Sequence, residues 1–562
     1  VFGSSRGPLS DEKALIDAER PDTHFLTFAD YRLLSKRVAL GLLSAGLRPG
    51  DRVLLFSGNS IYFPAVFMGV LMAGGIFTGA NPTYVAREVA YQLRDSEAAF
   101  MLAAEEAMPV ALAAAEEAGM SKDKIYVLGG DTPVSQIMRE DLPQVPSALS
   151  GLRPWTALLA GTLSVAESWD WTEPADAEEA VCCLNYSSGT TGVPKGVIVS
   201  HLAYVAHGVG SLHLRKENAG FEEWRRKARG LCFLPFYHAY GQAFFAVNLP
   251  HLGIPTYVMT RFDFERMLSH VQQYRITALT CVPPIVLALA KSPLVSKFDL
   301  SSVEEVGCGA APLSADVGEA AERHWPDGSV KVRQGWGMTE VTCSCISWEP
   351  WFKGPKTGVG ELLPNFAARI IDPATGAEIS RSGISGELWV TGPSLMIGYW
   401  RRPDATAETM VIDPKDGTRW LRTGDIAYVD KYGPGGVFHI VDRLKELIKV
   451  KGNQVAPAEL EAVLLERPDI TDVAVVGVTI QSEELPRAYV VVAPGSKTTE
   501  KDIAKWMETK VAPHKRLRGG VKFIEAIPKN PVSILSPSNH GHSSNLLIHH
   551  LLGSPARYLG RY

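Results

Sequence analysis

From Asp51 onward, short apolar runs alternate with segments of helical length, and few folds accommodate that rhythm. Arg52 to Phe56 (RVLLF), Ala98 to Leu102 (AAFML) and Ile125 to Leu128 (IYVL) read as buried strands, because a strand covered on both faces has no polar alternation. Tyr84 to Arg94 and Met108 to Ala118 lie between them and read as helices. Together they predict a parallel sheet covered by helices. The rhythm resumes at Gly230 to Leu234, Thr256 to Met259 and Ala278 to Val282, so a second sheet of the same kind is expected. From about Thr357 short β-type runs such as Gly386 to Val390 alternate with Gly and Pro turns, predicting a smaller β-rich unit. A compact α/β segment follows Asp442. Pro457 marks a helix start there, with Glu459 and Glu461 in its positive first turn.

Composition narrows the function classes. A chain of 562 residues requires two or more cores. A formal net charge of −5 with no basic block argues against nucleic-acid binding. The seven cysteines sit mostly in apolar runs and read as buried thiols of a reducing compartment. Cys343-Ser344-Cys345 has no second pair to complete a metal site. The longest apolar stretch, Phe63 to Ala80, is interrupted by Pro64, Gly69, Gly74 and Gly75. It reads as a buried helix and strand rather than a membrane span.

The strongest local signal is Ser187-Ser188-Gly189-Thr190-Thr191-Gly192-Val193-Pro194-Lys195-Gly196. Its glycines allow tight turns that present N–H groups, and its hydroxyls and Lys195 add donors for a polyphosphate. It is not a Walker loop, since Lys195 lies between Pro194 and Gly196.

This run resembles the signature of the adenylate-forming superfamily: acyl- and aryl-CoA ligases, luciferases and peptide-synthetase adenylation domains. Further motifs follow in order: Leu234 to Gly241 (LPFYHAYG), Gly307 to Leu313 (GCGAAPL), Gln334 to Glu340 (QGWGMTE), Trp420 to Asp425 (WLRTGD) and Val441 to Lys449 (VDRLKELIK). The resemblance covers roughly Asp30 to Leu535, and the nearest branch looks like 4-coumarate–CoA ligase and its fungal relatives. It implies an α/β protein whose large N-terminal domain, about 1–440, holds two α/β sheets and a β-barrel. It also implies a small mobile α+β C-terminal domain, about 441–535. The reaction implied is ATP-dependent conversion of an aryl or medium-chain carboxylic acid, through acyl-AMP, to its coenzyme A thioester.

That chemistry brings two anions together, a repulsion of about 4 kcal/mol per charge pair at 4 Å and an effective dielectric near 20, so cations and dipoles must offset it. By resemblance, Ser187, Ser188, Gly189, Thr190, Thr191, Gly192 and Lys195 cradle the β- and γ-phosphates. Thr339 contacts phosphate, and Glu340 holds Mg²⁺, a hard cation suited to carboxylate oxygen. Gly309, Ala310 and Ala311 leave a slot for the base. Gln334, Gly335, Trp336, Gly337 and Met338 form its other side, with Trp336 stacking where relatives often carry Tyr. Asp425 and Arg443 take the ribose. His238 orients the carboxylate, and Ala239, Tyr240, Cys343 and Ser344 line the acyl pocket. Lys445 is the hinge. Lys449, Lys451, Gly452 and Gln454 lie on the side of the small domain that alternates between half-reactions.

One departure stands against these matches. Relatives carry Pro-Ser-Gly-Lys-Ile-Leu near the C-terminus, whose Lys bridges carboxylate and α-phosphate. Here the sequence reads Pro528-Lys529-Asn530-Pro531-Val532-Ser533-Ile534-Leu535, so impaired adenylation is expected. Residues 536–562, rich in Ser, His, Asn and Gly, read as a disordered tail. Starting at Val1, the chain reads as a fragment. Its end at Leu559-Gly560-Arg561-Tyr562 is not a Ser-Lys-Leu tripeptide, so the cytosol is expected, with the peroxisome open if the native terminus differs. Oligomeric state is not legible. The other readings are a peptide-synthetase-type adenylation enzyme, a luciferase-like enzyme, and a catalytically silent nucleotide-binding relative.

Overall fold

A computed structural model gives the architecture. It describes residues 2, 7, 9–129, 131–139, 151–159, 161–187, 194–350, 357–444, 446–450, 453–480 and 483–527.

The two expected sheets are present. The first has eight strands in the spatial order Gly398–Tyr399, Lys195–Ser200, Val181–Ser187, Ile76–Ala80, Arg52–Phe56, Ala98–Ala104, Ile125–Leu128 and Arg153–Pro154. From Val181–Ser187 to Arg153–Pro154 the pairing is parallel, whereas Lys195–Ser200 runs antiparallel to both its neighbours. The second sheet has seven strands: Val332–Gln334, Glu305–Cys308, Ala278–Cys281, Gly230–Cys232, Thr256–Val258, Lys13–Asp17 and Phe25–Thr27. Four of the five residues of Arg52–Phe56 are buried, as a strand covered on both faces requires.

Helices Phe28–Ser44 and Tyr62–Met72 pack on these sheets. Thr27 caps the first: its Oγ1 accepts from the Asp30 N–H at 3.0 Å and the Asp30 carboxylate accepts from the Thr27 N–H at 3.1 Å. The two helices approach closely at Gly69, where a Cβ would lie 2.7 Å from the Val38 side chain. The apolar stretch from Phe63 is therefore a buried helix followed by the strand Ile76–Ala80, and no helix among the described residues is long and apolar enough to cross a membrane. The helix expected from Tyr84 begins instead at Ala86, because the Glu88 carboxylate accepts from the Val85 N–H at 2.9 Å and makes Val85 the cap.

The β-rich unit is a five-stranded antiparallel sheet in which Arg419–Val429 pairs with Gly386–Thr391, Met410–Ile412 and Phe438–Arg443, and Ala367–Ile371 takes the outer edge. Among the described residues these ladders do not join into a closed ring. The C-terminal segment is α+β. Helix Pro457–Leu465 starts at Pro457, and with helix Glu500–Glu508 it accompanies the sheet of Ile470–Ile480, Glu483–Val492 and Gly520–Phe523. Its core, including Ile448, Leu460, Leu464, Val490 and Ile503, is separate from that of the two large sheets.

Glu461 belongs to this helix, and its carboxylate accepts from the Val475 N–H at 2.7 Å. Burial pushes its pKa up from 4.5 to about 7. The folded state then binds more protons than the unfolded chain between those values, so this group lowers stability progressively as pH rises from about 4.5 to 7. Glu461→Gln keeps an acceptor for Val475 and removes the titration. Urea unfolding followed at pH 5 and pH 8 is expected to show the variant gaining on the parent only at the higher pH.

Candidate active site

Two adjacent parallel strands of the second sheet, Glu305–Cys308 and Val332–Gln334, end together, since Cys308 pairs with Gln334. Their C-terminal loops carry Gly309-Ala310-Ala311 and Gly335-Trp336-Gly337-Met338, the position at which open α/β sheets bind ligands. Ala310 has φ +73°, a left-handed conformation that costs an alanine about 1 kcal/mol or more. Gln334 steadies the first loop by accepting from the Leu313 N–H at 3.0 Å. Gly309 lets Tyr240 approach, since a Cβ there would lie 3.3 Å from the phenol oxygen. Gly337 has no room for a side chain at all: a Cβ would fall 1.8 Å from the Cys343 carbonyl oxygen.

Beyond Met338 the chain forms a one-turn helix, Thr339–Val341. Glu340 is buried there, and its Oε1 accepts from the Tyr399 hydroxyl at 2.8 Å, with the Ser187 hydroxyl at 3.5 Å. Ser187 pairs with Lys195 at the end of an antiparallel hairpin. The Lys195 ammonium sits 4.7 Å from the Tyr399 ring centroid. One end of the Gly-rich run thus reaches Glu340 directly, and the other lies over the ring of the tyrosine that donates to it. Ser188, Gly189, Thr190, Thr191 and Gly192 lie outside the described residues.

Across the cleft, Asp425 and Arg443 are cross-strand partners of the five-stranded sheet, and Arg443 Nε lies 3.6 Å from Asp425 Oδ1. The Trp336 indole N–H donates to Asp425 Oδ2 at 2.8 Å. Burial raises the Asp425 pKa, opposed by Arg443 and by the indole bond.

His238 precedes the short helix Ala239–Gly241, and its Nδ1 accepts from the Tyr240 N–H at 3.2 Å. Burial pushes its pKa down to about 4. The ring is therefore neutral at physiological pH, and with Nδ1 accepting, its proton resides on Nε2. Tyr240 packs edge-on against Phe244 with ring centroids 5.2 Å apart. Cys343 is buried and its thiol is pushed up to about 12, while the Ser344 hydroxyl meets Nε2 of the buried His207 at 3.1 Å. All seven cysteines are free and buried, and no cluster of three or more metal-ligating side chains occurs among the described residues.

These groups share one cleft of about 2230 Å³. It is lined by Ser187, Lys195, His238, Ala239, Tyr240, Gly309, Ala310, Ala311, the whole run Gln334 to Glu340, Cys343, Ser344, Asp425 and Arg443. A volume well above the roughly 300–1,000 Å³ of a single-ligand pocket suits a nucleotide and an acid together. Pro457, Ala458 and Glu461 of the C-terminal segment also border it. Lys449 and Gln454 face each other in a hairpin of that segment, with side chains outside the described residues, as are Lys445, Lys451 and Gly452. The sequence reading missed Tyr399 and His207. Both occur in ordinary strand or helix contexts, and only their contacts with Glu340 and Ser344 reveal them.

The sequence comparisons agree with this geometry. Residues 5–400 match the AMP-binding enzyme family, and residues 459–532 match the AMP-binding enzyme C-terminal domain. The chain belongs to the adenylate-forming AMP-binding enzymes. It is 37% identical to the peroxisomal OPC-8:0-CoA ligase 1 of Arabidopsis thaliana, across 92% of this chain and 88% of that protein. It is 36% identical to a phenylacetyl-CoA ligase of Aspergillus niger, across 94% and 93%. ATP-bound MatB of Rhodopseudomonas palustris superposes with TM-score 0.74 at 25% identity, covering 93% of each chain. The activity is accordingly AMP-forming acid–thiol ligation, in which ATP activates a carboxylic acid as acyl-AMP and coenzyme A takes the acyl group.

The close contact at Gly337 gives a direct test of the adenylate-forming site. Gly337→Ala drives a methyl into the 343–344 backbone and shifts both that segment and the Trp336–Asp425 contact. A displacement near 1 Å costs about 10²-fold in rate. Acid-dependent pyrophosphate release is expected to fall by about that factor, while far-UV circular dichroism stays unchanged.

Proposed function

We propose that this ligase activates an aryl or medium-chain carboxylic acid, held with its carboxylate beside His238 and its body against Ala239, Tyr240, Cys343 and Ser344. The observation that carries this reading is the shared cleft: Tyr240, Phe244 and Cys343 line the same volume as Thr339 and Glu340. Similarity to a phenylacetyl-CoA ligase supports the aryl choice. A carboxylate oxygen of the acid attacks the α-phosphorus of ATP and pyrophosphate leaves. The thiol of coenzyme A, after losing its proton, then attacks the acyl carbonyl and AMP leaves.

In this proposal the Ser187 to Lys195 run holds the β- and γ-phosphates, with Thr339 beside them. Gly309 to Ala311 and Gln334 to Met338 enclose the base, with Trp336 stacked on it, and Asp425 and Arg443 hold the ribose hydroxyls. Neutral His238 donates from Nε2 to the carboxylate. Glu340 fits a magnesium ligand: it is a buried carboxylate with hydroxyl donors and no ion pair among the described residues. Bound there, Mg²⁺ would supply charge neutralisation for the phosphates.

The proposed division is a nucleotide-binding unit of residues 1–440, whose β-rich part is read as a barrel, and a mobile unit of 441–535. Its hinge is at Lys445, and Lys449, Lys451, Gly452 and Gln454 lie on the alternating side. A distinct C-terminal core supports the division. For location the readings are the cytosol and the peroxisome, and similarity to a protein named as peroxisomal supports the second. Imaging of an N-terminally tagged protein separates them.

A panel of acids assayed for acyl-CoA and AMP tests the substrate class. Aryl or medium-chain acids are expected to lead, and transfer of amino acids to a carrier protein in preference to coenzyme A would contradict the reading.

The segment 528–535 lies outside the described residues, but its sequence lacks the Gly-Lys pair, and with it one cation aimed at attack on the α-phosphorus. Loss of a preorganised donor of that kind costs about 2.7–4 kcal/mol, or 10² to 10³ in rate. The chain is therefore expected to convert supplied acyl-AMP to acyl-CoA far faster than it makes acyl-AMP. Inserting Pro-Ser-Gly-Lys-Ile-Leu after Asn530 is expected to restore pyrophosphate release by a similar factor. Equal rates before and after the insertion would assign the role to another residue.

A further inference from the structure

We propose that Asp95, with Tyr91 one turn before it, is a positioning residue for ATP: it braces both stems of the Gly-rich hairpin from a helix outside the cleft. Both residues belong to helix Ala86–Ser96. The Asp95 carboxylate is 7% exposed, and its two oxygens serve different partners. Oδ2 accepts from the Tyr186 hydroxyl at 2.8 Å, and Oδ1 accepts from the Arg402 guanidinium at 2.6 Å. Tyr186 immediately precedes Ser187, so the first stem is tied at the residue before the run begins. The Tyr91 hydroxyl donates to the Pro194 carbonyl at 2.8 Å, which ties the second stem at the residue before Lys195.

A third tie closes the brace. The Trp400 indole donates to the Asp95 backbone carbonyl at 2.9 Å, and the Trp400 N–H donates to the Gly196 carbonyl at 2.7 Å. Gly196 pairs with Tyr186 across the hairpin, where a Cβ would lie 3.2 Å from the Tyr186 ring and 3.4 Å from Trp400. The glycine lets the ring lie flat over the second stem and reach Asp95. Charge-assisted bonds to one carboxylate are shorter and stronger than neutral ones, and here one of them holds the residue that precedes the run. None of the side chains of Tyr91, Asp95, Tyr186, Trp400 and Arg402 belongs to the matched motifs, although Tyr186 adjoins one.

The consequence differs between the two half-reactions. Adenylation needs the β- and γ-phosphates held, whereas acyl-AMP has neither. A brace on the phosphate run therefore acts on the first step alone, and the inference rests on the proposed role of that run. Asp95→Asn leaves an amide that cannot accept on both sides, and Tyr91→Phe removes the bond to Pro194 with little change in volume.

The test measures KM for ATP in acid-dependent pyrophosphate release, and separately the rate of CoA transfer from supplied acyl-AMP. It uses the full chain, both variants and Lys195→Ala. Each brace variant is expected to raise KM for ATP at least about tenfold while transfer from acyl-AMP stays within roughly twofold of the parent. Equal losses in both half-reactions would reduce Asp95 to a structural role and overturn the proposal. So would unchanged KM for ATP in the brace variants when Lys195→Ala slows adenylation. If Lys195→Ala leaves adenylation untouched, the phosphate role of the run fails and the brace fails with it.

Discussion

Glu340 is a carboxylate buried without a cation among the described residues, and burying such a group costs several kcal/mol unless its charge is matched. The surrounding segments are arranged around that cost. The Tyr399 hydroxyl donates to it, Ser187 approaches it, and the Met396 N–H holds the Glu340 carbonyl at 2.8 Å. Tyr399 comes from a strand paired with the Lys195–Ser200 stem, while Glu340 follows directly from the loop carrying Trp336 and Gly337. One carboxylate thereby links the first sheet, the second sheet and the Gly-rich hairpin.

Electrostatics also divides the cleft. At one end Asp425, Arg443 and the Trp336 indole form a polar set. At the other, Tyr240, Phe244 and the buried Cys343 make an apolar surface whose polar feature is Ser344 against His207. His238 lines the same cleft, kept neutral by burial.

Much of this was legible in the sequence. Unbroken apolar runs such as Arg52–Phe56 reported burial on both faces, and they form the parallel strands they predicted. Pro457 marked its helix start correctly. Gly309, Gly337, Glu340 and Asp425 stood out because adjoining residues formed matched motifs, and the structure brings all four to one cleft. Contacts between distant segments left no local trace. Asp95 and Arg402 are far apart in the chain and read as ordinary surface charges, yet they meet at 2.6 Å beneath the hairpin. His207 lies on helix His201–Lys216, where apolar residues fall on the exposed face as well as the buried one and a histidine signals nothing, and Tyr399 looks like any strand aromatic. Spacing also gave no hint that the Glu88 cap would delay the helix after Tyr84 until Ala86.

In this reaction a carboxylate oxygen becomes bonded to the α-phosphorus of ATP before the thiol of coenzyme A attacks. Isotope transfer tests it most directly. An accepted acid labelled with ¹⁸O in its carboxylate is turned over with ATP and coenzyme A, and the released AMP and inorganic phosphates are analysed by mass spectrometry. The account predicts one labelled oxygen in each AMP and none in pyrophosphate, because the acyl–oxygen bond breaks when the thiol attacks. Label in inorganic phosphate, with ADP as the nucleotide product, would show attack at the γ-phosphorus and contradict it.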